Sequence, residues 1–108
     1  MTPVRNTTVM DLQQRLATGQ QPVLLDVRED WEYALCHIDG AMHVPMSQIP
    51  ARLADIPMDR TLVCVCHHGM RSARVAEYLV RNGFSDVENL DGGVDAWALH
   101  IDPDMRRY

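Results

Sequence analysis

The stretch Leu62-Val63-Cys64-Val65-Cys66-His67-His68-Gly69-Met70-Arg71-Ser72 decides the reading of this chain. Its first four residues are apolar and rich in β-branched side chains, the pattern of a strand covered on both faces. From Ala73 to Asn82 the periodicity changes. Val75, Ala76, Leu79 and Val80 form an apolar stripe at helical spacing, and Asn82-Gly83 supplies a stop. Between strand and helix lies a tight turn that opens on a cysteine. In an α/β fold, such a turn presents backbone N–H groups and the positive end of a helix to an anion. A thiol placed there ionises more easily than a free cysteine.

The same alternation extends outward from this stretch. Thr8 can cap a helix with Asp11 three residues on, and Val9, Leu12 and Leu16 share one face. Gly19 and Pro22 end it. Val23-Leu24-Leu25-Asp26-Val27 reads as a second buried strand. Asp26 and Arg28 come at its C-terminal end, the edge where ligands gather in open α/β sheets; capping the next turn or pairing with an arginine is the plainer role of Asp26. Glu29 to Leu35 suits a short helix with Trp31 and Ala34, or Leu35, facing inward. His37 to Gly40 reads as a turn and Ala41 to Val44 as a short strand ended by Pro45. Ser47 can cap a helix to about Ala54 with Ile49 and Leu53 inward and Pro50 in its first turn. Asp86 to Leu90 is a last strand, followed by Asp91-Gly92-Gly93 and a short helix, Val94 to Leu99, that carries Trp97. Strands alternating with helices predict an α/β fold, a small central parallel sheet with helices on both faces. Residues 1–108 read as a single domain with its core at about 8–100. Met1 to Asn6 are expected to be a frayed lead-in, and 101–108 a polar C-terminal tail.

Composition narrows the class. The 108 residues suffice for one domain, and an apolar content of 46% is ordinary for a chain that buries a core. A net charge of −5 argues against nucleic acid or an anionic membrane as the main partner. Met1 to Met10 lack the apolar segment of a secretory leader, and no apolar run approaches the roughly 20 residues that span a bilayer. Three cysteines, an odd and sparse count, fit reduced thiols in a cytoplasm better than a disulfide framework.

Within the turn, Cys66 is the candidate nucleophile. Gly69 supplies the permissive φ that lets several N–H groups point at its sulfur. Those donors stabilise negative charge on the sulfur, on a second sulfur attached to it, or on an approaching oxyanion. Arg71 adds a permanent charge able to bridge two oxygens, and Ser72 can cap the helix and donate a hydroxyl hydrogen bond. Singly, a cysteine at a strand end is a buried apolar residue and an arginine at a helix start is a solvated charge. Together, a glycine at the third position beyond the cysteine and an arginine at the fifth point to a working thiolate.

Cys66-x-x-Gly69-x-Arg71-Ser72 resembles the active-site loop of rhodanese-domain sulfurtransferases, and the likeness covers nearly the whole chain. Asp26-Val27-Arg28 with Glu32 resembles the family's first strand and its exit. His37-Ile38-Asp39-Gly40-Ala41 followed by Val44-Pro45 is similar to its Gly-His-Ile-x-Gly-Ala segment, with Cys36 standing where the family usually has glycine. Leu90-x-Gly92-Gly93 with Trp97 is similar to its closing Gly-Gly-x-x-x-Trp segment. The resemblance implies that Cys66 takes the outer sulfur of a donor anion such as thiosulfate as a persulfide. Cys66 then passes it to cyanide, a small thiol or a protein thiol, with no metal or organic cofactor. His67, His68, Gly69, Met70, Arg71 and Ser72 would form the substrate-binding loop, with Met70 on its rim. Asp26, Arg28 and Glu32 would orient it.

Three other readings remain. Phosphatases and arsenate reductases of related fold place arginine six positions after cysteine, whereas Arg71 comes five after Cys66 and leaves a smaller ring. Cys64, Cys66, His67 and His68 have the ligand types for zinc or copper, at a spacing unlike that of structural zinc sites. A rhodanese-like module can also carry sulfur or bind a partner without turnover. His37, His43 and His100 have no readable role.

Overall fold

A computed structural model describes residues 3–108. The elements in chain order are β1 (Arg5–Thr7), α1 (Val9–Ala17), β2 (Val23–Asp26), α2 (Asp30–Leu35), β3 (Met42–His43), two 3-10 segments (Met46–Gln48 and Pro50–Asp55), β4 (Leu62–Val65), α3 (Met70–Arg81), β5 (Val87–Leu90) and α4 (Gly93–His100). The strands form one sheet in the order β1-β5-β4-β2-β3, and every pairing is parallel. The chain is therefore α/β, as its alternating pattern predicts.

Two cores follow from the period-two alternation of the central strands. Leu25, Leu62, Cys64 and Val87 pack with Val75 and Leu79 of α3 and with Ile49. Leu24, Val63, Val65 and Leu90 pack with Val9 and Leu12 of α1 and with Val94 and Trp97 of α4. Helices thus cover both faces, which is why β4 reads as an unbroken apolar run. Thr8 caps α1 by accepting the Asp11 N–H at 3.1 Å, and Gly19 follows at φ +91°.

Several elements differ from expectation. Arg5–Thr7 is an edge strand rather than a frayed lead-in, pairing with Glu88, Asn89 and Leu90; Met1 and Thr2 lie outside the described residues. Only Thr7 of the three is buried, so the strand carries no apolar run to betray it. Its polar side chains hold the edge instead: Arg5 pairs with Asp86 and Glu88. Ser47 caps nothing. It lies inside a 3-10 segment that follows Pro45, and Pro50 opens the second such segment. Ile49 is buried there as expected. In α2 the inward residue is Glu32, while Trp31 is 63% exposed and Ala34 faces solvent. Cys36 sits at φ −163°, extended backbone that any residue adopts, so its departure from glycine costs the turn nothing. The tail also departs from expectation, because Tyr108 returns to the loop after β4.

Leu79 of α3 is fully buried in the core beneath Cys64. Leu79→Ala is expected to destabilise the fold by about 2–5 kcal/mol in urea unfolding.

Candidate active site

The parallel sheet brings the C-terminal ends of β2, β4 and β5 to one edge. Cys66 follows β4 directly and is only 1% exposed. Its Sγ accepts the Gly69 N–H at 3.1 Å and lies 3.2 Å from the Ser72 hydroxyl. Burial pushes the thiol pKa up. The Ser72 hydroxyl and the N–H groups of Ser72, Gly69 and His68 outweigh it, and the net direction is down. Cys64 meets the opposite fate. Completely buried and without such donors, it is pushed up to about 12 by burial and by the charge of Cys66. One cysteine is poised to ionise, and its neighbour two positions back is a core residue.

Gly69 is the N-cap of α3 at φ +107°, and a Cβ there would stand 3.3 Å from the Leu90 carbonyl. The cap is therefore Gly69 rather than Ser72, which sits one turn in and is fully buried. The Ser72 hydroxyl has two acceptors within reach of its one proton, Cys66 Sγ at 3.2 Å and Asn89 Oδ1 at 2.5 Å. Asn89 in turn donates to the Gly69 carbonyl at 3.1 Å. The sequence reading missed Asn89. Its signal was a polar residue in a short strand with apolar ends, which a buried ladder tolerates only when its amide is satisfied.

The outward carbonyls of the loop are held by α4. Val94 N–H donates to the Cys66 carbonyl at 2.9 Å and Asp95 N–H to the His67 carbonyl at 3.0 Å. Gly93 makes this approach possible. A Cβ on it would come within 2.3 Å of the Cys66 oxygen and 2.5 Å of the His67 oxygen.

Arg71 reaches the mouth of the loop and bridges two oxygens, but they belong to Glu32. The distances are 2.7 Å to Oε1 and 2.9 Å to Oε2. The Arg71 hydrogen bonds, opposed by burial and aided by Tyr108, hold the Glu32 carboxyl down at about 2. Behind it lies Arg28, wholly buried. Its guanidinium bonds Asp26 at 2.8 to 3.2 Å, and the Cys36 and Glu32 carbonyls at 2.6 and 3.2 Å. Asp26 is thus a structural partner of arginine, and the set Asp26, Arg28 and Glu32 backs the loop without touching Cys66.

The two loop histidines differ. His67 is half-buried, its ring stacked on Tyr108 at 3.8 Å, and its Nε2 has no hydrogen-bond partner among the described residues. Burial first, then His68, hold its pKa below the usual value, so it is neutral near pH 7. His68 is exposed, with Nε2 3.8 Å from Asp95 Oδ2. Among the described residues, His67, His68 and Asp95 form the one group whose possible metal-ligating atoms lie within 4.8 Å of one another. Asp95 is already paired with Arg107 at 3.2 Å. Met70 stands 75% exposed on the rim. Away from the site, His37 and His43 sandwich Tyr33 and bond backbone carbonyls at 2.9 and 2.8 Å.

Gly93→Ala is expected to displace the loop from α4, slowing Cys66 alkylation by at least tenfold while the far-UV circular dichroism stays native. For Glu32 the folded pKa is depressed, so its stabilisation is full above about 4.5 and is lost as pH falls toward about 2. Urea unfolding across that window is expected to show a steeper loss for the wild type than for Glu32→Gln.

Comparison with known proteins agrees with this geometry. A family model, "Rhodanese-like domain", matches residues 8–100. A sulfurtransferase of Allochromatium vinosum is 43% identical over 89 residues, covering 82% of this chain and 83% of the relative. The thiosulfate sulfurtransferase GlpE of Pseudomonas fluorescens is 44% identical over 78 residues, 72% of each chain. The probable adenylyltransferase/sulfurtransferase MoeZ of Mycobacterium tuberculosis is 42% identical over 94% of this chain, which spans 26% of that longer protein. Among solved structures, a rhodanese-like domain protein from Staphylococcus aureus superposes with a TM-score of 0.84 at 33% identity, covering 97% of this chain and 99% of that one. With residues 8–100 matched and Cys66 at the head of its loop, the chain belongs to the rhodanese-like domain family.

Proposed function

We propose that the chain is a sulfurtransferase and that Cys66 is its sulfur-carrying nucleophile. One observation carries the reading: a nearly buried cysteine accepts the Gly69 N–H at 3.1 Å and lies 3.2 Å from the Ser72 hydroxyl, at the start of α3. That arrangement stabilises a thiolate, and the N–H donors of the loop would also face negative charge on a sulfur attached to it. The names of relatives of similar length support the class of reaction.

The proposed donor is thiosulfate. The Cys66 thiolate attacks the outer sulfur, the S–S bond of the donor breaks, and sulfite departs with the bonding pair. Cys66 then holds one extra sulfur as a persulfide anion. A nucleophilic acceptor, cyanide or a thiolate, attacks that terminal sulfur and expels the Cys66 thiolate. Electrons balance within the two displacements, and no external oxidant is consumed. Arg71 would be the cation facing the incoming anion and His67 a neutral wall of the entrance, with His68 and Met70 on its rim. The described residues include no helix long and apolar enough to cross a membrane. A cytoplasmic setting, with reduced thiols, is the environment this chemistry suits.

Incubation with thiosulfate followed by intact-mass measurement is expected to show a gain of one sulfur atom. The gain should disappear on adding cyanide and be absent in Cys66→Ser. Uptake of sulfur by Cys66→Ser would sink the assignment. Steady-state transfer to cyanide and to thiols then separates an enzyme from a carrier that loads once and waits for a partner.

A further inference from the structure

The segment after α4 turns back over the site, with Arg107 on Asp95 and Met105 packed on the core under α1 and α4. It lays Tyr108 between the loop and α2. The ring stacks on His67 with planes 5° apart, and Trp31 meets it edge-on at 5.6 Å. The hydroxyl lies 2.6 Å from Glu32 Oε2 and 3.0 Å from Arg28 Nη1. A guanidinium can only donate, so the hydroxyl accepts from Arg28 and its own proton goes to Glu32.

Each Glu32 oxygen therefore has two donors. Oε1 takes the Glu29 N–H at 3.0 Å and Arg71 Nη1 at 2.7 Å; Oε2 takes the Tyr108 hydroxyl at 2.6 Å and Arg71 Nη2 at 2.9 Å. Glu29 and Tyr108 anchor the carboxylate at its two ends and so fix its plane. A bidentate guanidinium follows that plane. The Arg71 side chain is 36% exposed, so solvent is its alternative.

We propose that Tyr108 is a positioning residue of the active site: its hydroxyl fixes the carboxylate that orients Arg71 toward an anionic donor, and its ring fixes His67. The inference rests on the reading of Cys66 as the sulfur-accepting thiolate with Arg71 as its cation. The Arg71 pKa is raised first by its Glu32 hydrogen bonds, against burial, and in smaller part by the charge of Cys66. Without the hydroxyl, the carboxylate turns about its Glu29 anchor and Arg71 is released to water. The stack on His67 persists in Tyr108→Phe, so that change isolates the hydroxyl.

The test is alkylation of Cys66 in the full chain at low ionic strength, with neutral iodoacetamide and anionic iodoacetate. Rates are read by peptide mass, so that Cys36 does not contribute. In Tyr108→Phe the iodoacetate-to-iodoacetamide rate ratio is expected to fall about threefold or more, with the iodoacetamide rate kept within about twofold. Arg71→Ala should lower the ratio at least as far. The KM for thiosulfate should rise by a similar factor in Tyr108→Phe, with kcat little changed. An unchanged ratio in Tyr108→Phe overturns the proposal. So does an equal fall of both rates, which would mean general loosening of the loop, or an unchanged ratio in Arg71→Ala. A wild type that takes up no sulfur from thiosulfate overturns the proposed activity instead, and the alkylation ratio still decides the role of Tyr108.

Discussion

The site depends on where the carbonyls of one tight loop go. Turning the N–H groups of His68, Gly69 and Ser72 toward a single sulfur turns neighbouring carbonyls outward, against α4 and Asn89. Buried carbonyls need donors. Here the donors are the first free N–H groups of α4, on the Cys66 and His67 oxygens, and the Asn89 amide, on the Gly69 oxygen. A helix N-terminus has such N–H groups to spare. The helix must come within contact of the loop backbone to use them, and Gly93 lets it do so. The conformation that stabilises a thiolate is thus held by a second helix that never touches the sulfur.

Charge around the loop is arranged so that, among the described residues, no buried ion stands alone. Arg28 and Asp26 are both essentially inaccessible, and the remaining Arg28 donors find the Glu32 and Cys36 carbonyls and the Tyr108 oxygen. Removing one member of such a pair strands the other in a low-dielectric interior, at a cost of about 3–5 kcal/mol. Glu32 is the joint between this buried hub and the solvent-facing Arg71. Its hydrogen bonds from Arg71 and Tyr108 hold its carboxyl well below the usual range, so it is ionised near neutral pH.

The sequence was legible where local pattern and tertiary role agree. Leu62 to Val65 and the stripe on α3 announce a strand and a helix by residue type alone. It was illegible where a polar residue is buried by a partner far along the chain. β1 is Arg-Asn-Thr, and its place in the sheet comes from Glu88, Asn89 and Asp86. Hydrophobicity assigns Trp31 inward on α2, yet Glu32 is the buried residue. Arg71 and Tyr108 satisfy its carboxylate, while Trp31 rests against the Tyr108 ring. Tyr108 itself, in a stretch rich in aspartate and arginine, carries no local signal. Only the fold brings it to Glu32.

The spacing of Cys66, Arg71 and Ser72 then acquires a geometric meaning. Consecutive residues of a helix point about 100° apart. Ser72, one step beyond Arg71, turns inward to Cys66 and Asn89 and is wholly buried, so Arg71 must turn outward to the mouth. One turn of α3 therefore divides the labour. Its N–H groups and the Ser72 hydroxyl face the sulfur, and the Arg71 guanidinium faces Glu32. Arg71 thus answers to Glu32 rather than to the sulfur, and under the proposed reaction that pairing would keep the cation at the mouth, where a donor anion arrives, without collapsing it onto the thiolate.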